Sequence, residues 1–170
     1  MKEPAVAMTD PANSLRSFQE ELLLGTILLS RTKLDPNLFI YRDNVGAAPR
    51  MSYARLEGRT VTAMVIFTPE ATINGAPCVG IGYAVPETHR NQGRAKDIVK
   101  AAIADMQFGL RRQGHAAFYV EAIVGAGNAA SRRVAEQIIS DTPEPMVDGI
   151  SGLPAFRYVL KVEDTANLSA

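Results

Sequence analysis

The sequence predicts an α/β (α+β layered) domain: a mixed, mostly antiparallel sheet flanked by helices, with a parallel strand pair at its centre. Three observations carry this. The run Ala76–Met106, APCVGIGYAVPETHRNQGRAKDIVKAAIADM, reads as a buried strand, a basic glycine-bearing turn and an amphipathic helix. A second apolar strand pattern follows at Phe118–Val124, and a strand, helix, strand crossover is expected to be parallel and right-handed. The hairpin signals Glu57-Gly58-Arg59 and Asn74-Gly75 each lie between β-rich runs and add antiparallel neighbours.

In chain order, Met1 to about Asn13 carries Pro4 and Pro11 and is expected to be an extended arm, with a short strand near Val6. Ser14 then caps a helix whose apolar positions Leu15, Phe18, Leu22, Leu23 and Ile27 recur at helical spacing, and Leu34-Asp35-Pro36 breaks it. Leu38–Tyr41 is a short strand and Asn44-Val45-Gly46 a turn; Met51–Leu56 and Thr60–Phe67 form the first hairpin. In the strand before Pro86, the two-residue period puts Val79, Ile81, Tyr83 and Val85 on one face and Gly80, Gly82 and Ala84 on the other. Interior strand glycines weaken a sheet unless the chain bulges or something approaches the backbone, so Gly80 and Gly82 mark either a place of close approach or a crowded spot beneath a helix. The next helix buries Ala95, Ile98 or Val99, Ala102, Ile103, Met106 and Leu110, and ends near Gly114. Phe118, Val120, Ala122 and Val124 then alternate with Ala117, Tyr119, Glu121 and Ile123. The turn Gly125–Asn128 leads into a last helix from about Ala129 that Pro143 stops. Met146–Ile150 and Phe156–Val162 make a closing hairpin, and the polar tail from Glu163 is expected to fray.

A length of 170 residues suits one domain spanning 1–170. Eighteen basic and eighteen acidic side chains cancel, so no global field draws the chain to nucleic acid or an anionic membrane, and anion binding must be local. The single cysteine, Cys78, excludes an intramolecular disulfide, and no Cys/His spacing suggests a metal. The start, MKEPAVAMTDPANS, carries an acidic residue and two prolines where a signal peptide would need a continuous apolar run, so none is expected there, and the longest apolar stretch, around Leu22–Leu29, is interrupted by Gly25 and Thr26. A cytoplasmic location is expected. The apolar closing strands offer a surface for a homodimer.

The chemistry starts at the helix that follows Gly93. A helix N-terminus presents unpaired N–H groups and the positive end of the peptide dipoles, which suits a phosphate or pyrophosphate; Arg90 and Arg94 add cations. The dinucleotide pattern G-x-G-x-x-G and the P-loop ending Gly-Lys-Ser/Thr are both absent. What remains is Arg90-Asn91-Gln92-Gly93-Arg94-Ala95, of the form R-x-x-G-x-A, between an apolar strand and a long helix.

This segment resembles the acyl-CoA-binding motif of the GNAT superfamily of N-acetyltransferases, Q/R-x-x-G-x-G/A. A second stretch, Glu121–Val124 followed by Asn128-Ala129-Ala130-Ser131-Arg132-Arg133-Val134-Ala135-Glu136, is similar to the strand, Asn-x-x-Ser turn and helix that come next in that family, most of all in its ribosomal-protein-type branch. The resemblance implies that backbone amides from Asn91, Gln92, Gly93, Arg94 and Ala95 cradle the pyrophosphate of acetyl-CoA. It implies that main chain near Ala84 and Val85 pairs with the pantetheine arm, that Asn128 hydrogen-bonds that arm, and that Ser131 lies near the thiol. It further implies acetyl transfer from acetyl-CoA, as acyl-donor cosubstrate, to a small-molecule, peptide or protein amine by direct attack in a ternary complex. Two departures stand out: Ala135 occupies the position where many members carry a Tyr proposed to protonate the departing thiolate, and Ile139-Ser140 replaces a Gly-Phe that commonly ends the helix. Ser131 or a water would then protonate sulfur. Glu121 is the first candidate base, with a solvent-facing or Arg-paired acid as its competing reading; Tyr83 is the second, with core packing as its competitor. His89 is placed beside the phosphate turn, and Cys78 is given no chemistry. Asp43, Glu70 and Asp148 are acids that would attract a cationic amine. The missing Tyr and Gly leave a catalytically inactive CoA-binding module or sensor as the alternative, and a nucleotide-binding regulator as a third reading.

Overall fold

The computed structural model describes residues 10–164. Helix α1 spans Pro11–Leu24 and the strands β1 to β5 span Ser30–Arg31, Phe39–Val45, Ala48–Glu57, Thr60–Ile73 and Ala76–Ala84. Helix α2 (Arg94–Arg112), β6 (Ala117–Gly125), α3 (Ala129–Ile138), β7 (Glu144–Val147) and β8 (Pro154–Glu163) complete the chain. All strands join one sheet of order β1-β2-β3-β4-β5-β6-β8-β7, in which β5 and β6 are the parallel pair and the other neighbours are antiparallel. The mixed sheet with a parallel pair at its centre is the one the sequence predicts.

Successive residues of a strand face opposite sides, and the two faces here carry two cores. On one side Tyr53, Val65, Phe67, Ile81, Phe118, Val120 and Tyr158 meet Ile98, Val99, Ala102, Ile103 and Met106 of α2 and Ala135 of α3. On the other, Ala54, Val61 and Met64 meet Phe18 of α1 and Ile27. Tyr53 ties α2 to β3 as well, its hydroxyl donating to Asp105 Oδ2 at 2.9 Å while its ring packs edge-on against Phe67.

Several boundaries differ from the sequence reading. Helix α1 begins three residues before Ser14: Asp10 is its cap, accepting from the Ala12 N–H at 3.0 Å, and Pro11 occupies the first turn, where a missing N–H costs nothing. The helix stops at Gly25, not at Leu34-Asp35-Pro36. Gly25 takes φ 74°, a left-handed conformation that closes the last turn through bonds to the Glu21 and Leu22 carbonyls. Leu23, expected inside, is 53% exposed, and the short β1 was not anticipated. Strand β2 continues through Val45, so the turn falls at Gly46-Ala47. Strand β7 starts at Glu144, ahead of Met146, and α3 ends at Ile138, five residues before Pro143. Glu163 is the last residue of β8. The expected strand near Val6 and the end of the tail lie outside the described residues. No helix among those described is long and apolar enough to cross a membrane.

The seating of α2 decides where its N-terminus points, and Ile98 is fully buried beneath it. Ile98→Ala is expected to cost about 2–5 kcal/mol, read as a lower urea midpoint at unchanged slope.

Candidate functional site

The site begins where β5 and β6 part. They pair only over Cys78–Gly80 with Tyr119–Glu121; beyond that β5 continues with β4 to Ala84, and β6 continues with β8 to Gly125. Between Ile81–Ala84 and Ala122–Gly125 the sheet therefore opens into a wedge, with strand edges that no described strand covers. Both strands lead into helices, so the N-termini of α2 and α3 stand at the open end.

At α2, the 3₁₀ turn Glu87–His89 and two left-handed residues, Asn91 (φ 60°) and Gly93 (φ 72°), carry the chain from strand to helix. The first helical bond runs from Asp97 N–H to the Gly93 carbonyl, and no side chain caps this terminus. The N–H groups of Arg94, Ala95 and Lys96 are thereby left for an acceptor from outside the helix. A Cβ on Gly93 would meet nothing within 4 Å, so the approach is open, but its positive φ favours glycine. This combination fits a pyrophosphate.

The two arginines of the turn are already engaged. Arg90 Nε donates to the Val85 carbonyl at 3.1 Å, which uses the acceptor expected to pair with a ligand. Arg94 donates to Gln92 Oε1 at 3.0 Å and to Glu57 Oε1 at 2.7 Å. Glu57, at the tip of the β3–β4 hairpin, also sits 3.7 Å from His89 Nε2, and Arg94 holds its carboxyl below the ordinary range. In the sequence Glu57 is legible only as part of the turn signal Glu57-Gly58-Arg59, with nothing to tie it to Arg94 or His89.

At α3, Asn128 is the cap, its Oδ1 accepting from the Ser131 N–H at 3.1 Å. Tyr83 reaches from the wedge edge of β5 to α3, its hydroxyl donating to the Ser131 carbonyl at 2.6 Å and lying by the Ala135 backbone. Burial, with the neighbouring Tyr158, pushes the phenol well above its ordinary range. A phenol so held stays protonated and donates; it is a tie between β5 and α3, and a base is the one role this environment opposes. Ala135 is fully buried.

On the α1 side of the wedge the bare positions of β5 are filled. Pro11 stands 3.2 Å from where a Cβ of Gly82 would be, and Glu70 Oε1 2.7 Å from that of Gly80. The reading of a crowded spot beneath a helix fits Gly82, under Pro11 of α1, whereas Gly80 is crowded by the Glu70 side chain of β4. Glu121 is paired: Arg157 Nε donates to its Oε2 at 2.6 Å and reaches Glu144 at 3.4 Å. Cys78 is buried, its thiol pushed up to about 11 by burial and by the charges of Glu121 and Glu70. Of the acids considered for a cationic amine, Asp43 is paired with Arg50, and Asp148 caps its own turn, accepting from Ser151 Oγ at 2.7 Å. Glu70 has no ion-pair partner among the described residues. Among those residues no group of three or more His, Cys, Asp and Glu is placed to hold a metal.

No family model and no curated protein matches the sequence. Solved structures do match the fold. A crystal structure of a probable acetyltransferase aligns with a TM-score of 0.51 at 18% identity, covering 65% of this chain and 60% of that one. Arabidopsis thaliana NAA60, in complex with a bisubstrate analogue, aligns with a TM-score of 0.50 at 15% identity, covering 71% of this chain and 79% of that one. The chain thus spans less than two thirds of the first of these and more than three quarters of the second. The mixed α/β fold of this chain, an eight-stranded, mostly antiparallel sheet with one parallel pair and three helices, matches the fold of the GNAT acetyltransferases.

Proposed function

We propose that the protein transfers an acetyl group from acetyl-CoA to an amine, by direct attack while both substrates are bound. The observation that carries this reading is the wedge between β5 and β6, opening onto the uncapped N-terminus of α2. An extended pantetheine arm satisfies the free strand edge of β5 along Ile81–Ala84 as an added strand would, and the pyrophosphate takes the N–H groups of Arg94, Ala95 and Lys96. Asn128 and Ser131 stand at the facing helix, where the thioester end lies. The bound thioester supplies an activated acyl carbon, and the chain's part is to hold it in line with the amine and to keep water from it. Fold likeness to an enzyme whose structure holds a bisubstrate analogue supports the reading. A single domain in a reducing compartment, with no nucleic-acid partner, remains part of this proposal.

A CoA-binding module without turnover is the second reading. Ala135 favours it, since a buried methyl group offers no proton to a departing sulfur.

Calorimetry with acetyl-CoA, followed by thiol release in the presence of a panel of primary amines and short peptides, separates the two: transfer gives amine-dependent thiol, a silent module gives binding alone. Gly93→Glu is expected to weaken acetyl-CoA binding by at least a hundredfold while the protein stays folded by circular dichroism; unchanged affinity would place the cofactor elsewhere. Glu57→Gln is expected to tighten acetyl-CoA binding, and more at low salt than at high, since it removes the carboxylate charge that neutralises Arg94. Tyr83→Phe is expected to lower stability by about 1 kcal/mol through the lost bond to Ser131 and to leave turnover largely intact.

A further inference from the structure

The vertex of the wedge carries a group that acetyl transfer needs and that the helix side lacks. Gly80 is the last β5 residue paired with β6, and its partner there is Glu121. On the same face, from the other side, comes Glu70 of β4. The β4–β5 register slips immediately after Glu70, an irregularity of the kind that turns a strand and re-aims a side chain. Its carboxylate lies across Gly80, in the space a larger residue would claim. Two carboxylates thus converge over one glycine where the two central strands separate.

Their surroundings differ. Glu121 is committed to Arg157, which also holds Glu144. Glu70 has no such partner among the described residues; the charge that acts on it is that of Glu121, and both carboxylates act on the buried Cys78 thiol. Burial first, and then the charge of Glu121, raise the Glu70 carboxyl above its ordinary value. A carboxyl raised in this way, with no ion-pair partner among the described residues, is placed to take a proton, whereas Glu121 is engaged by Arg157. Arg157 is shared between Glu121 and Glu144, so Glu70 adds an unpaired negative charge at the vertex, which favours a cation.

We infer that Glu70 binds and deprotonates the acceptor, and that the acceptor is a primary amine, protonated in solution, that enters from the α1 face of the sheet. This rests on the acetyl-transfer reading. The ammonium gives one proton to the Glu70 carboxylate, which becomes a neutral acid. The freed nitrogen lone pair forms the C–N bond to the thioester carbonyl, and the C–S bond breaks with its electron pair leaving on sulfur. The nitrogen's second surplus proton neutralises the thiolate, directly or through water. Glu70, open to solvent, then returns its proton to water, so that R–NH3⁺ and acetyl-CoA yield R–NH–acetyl, CoA thiol and one H⁺. The amine meets the thioester from the side opposite α2 and α3, so the two substrates need not pass one another.

The test compares wild type, Glu70→Gln and Glu121→Gln, using acetyl-CoA with n-butylamine and a short peptide bearing a free amino terminus. Thiol release is followed between about pH 5 and 9, with acetyl-CoA affinity and thermal midpoint measured alongside. In the wild type, kcat/KM is expected to rise with pH through the Glu70 ionisation. Glu70→Gln is expected to lower kcat/KM by about 10²–10⁴-fold, to flatten that acid limb and to leave acetyl-CoA affinity unchanged. Glu121→Gln removes a negative charge beside Glu70, so its acid limb is expected to persist and to move to lower pH. A Glu70→Gln protein within threefold of wild type with its limb intact, or a limb lost in Glu121→Gln instead, overturns the assignment and leaves acetyl transfer standing. A wild-type protein that binds acetyl-CoA but releases no thiol with any amine overturns the transfer reading, and this inference with it.

Discussion

Three residues of β5 lie against three of β6, and the place where that pairing stops governs what the molecule can do. Backbone N–H and C=O groups in a sheet are satisfied by the strand alongside. Past Gly80 and Glu121 each central strand keeps its outer neighbour, β4 or β8, and loses its inner one. A strand edge is normally found at the rim of a sheet, where it recruits any extended chain that fits. Here two such edges stand in the middle, walled by helices and by the two cores. A ligand that lies between them meets backbone on both sides, which selects for something long, thin and rich in amides.

The same parting sorts charge. Helices follow the C-terminal ends of both strands, so two positive dipole ends stand where the wedge is wide. At its vertex the side chains are Glu70, Glu121 and Arg157, with Glu144 beyond. The pattern suits a phosphorylated group at one end and a cation at the other. Glu57 moderates the wide end by neutralising Arg94, and it does so from a hairpin tip, the sort of exposed pair whose strength falls with salt. What that end offers an anion is chiefly main-chain N–H groups, which salt screens less than side-chain charges at the surface.

Periodicity carried most of the fold. The helical spacing of Ile98, Ala102, Ile103 and Met106, the turn residues Asn74-Gly75 and the capping Asn128 are local signals, and each is where its physics requires. The errors arose where one residue overruled a longer pattern. Gly25 ended α1 although Ile27 continued the apolar spacing, because a left-handed residue satisfies the last carbonyls better than another turn would. Motif spacing located the turn around Gly93 and the start of α3. Side-chain partnership was invisible: Arg94 finds Glu57 thirty-seven residues away and Arg157 finds Glu121 thirty-six away, separations that depend on strand order. Strand order also puts Glu70 and Glu121 on either side of Gly80, which no local pattern could announce.

Cys78 has a consequence of a different kind. It is the chain's one cysteine, buried on the central strand, and its thiol is held at about 11 by burial and by two carboxylates. Thiolate is the form that reacts with alkylating and disulfide reagents, so at neutral pH the folded protein is nearly silent to them. Its labelling rate becomes a clock for opening of the sheet at β5, because only a molecule whose central strand has come free offers that sulfur to solvent. The residue with no chemistry of its own therefore reports on the strand that the wedge is built from.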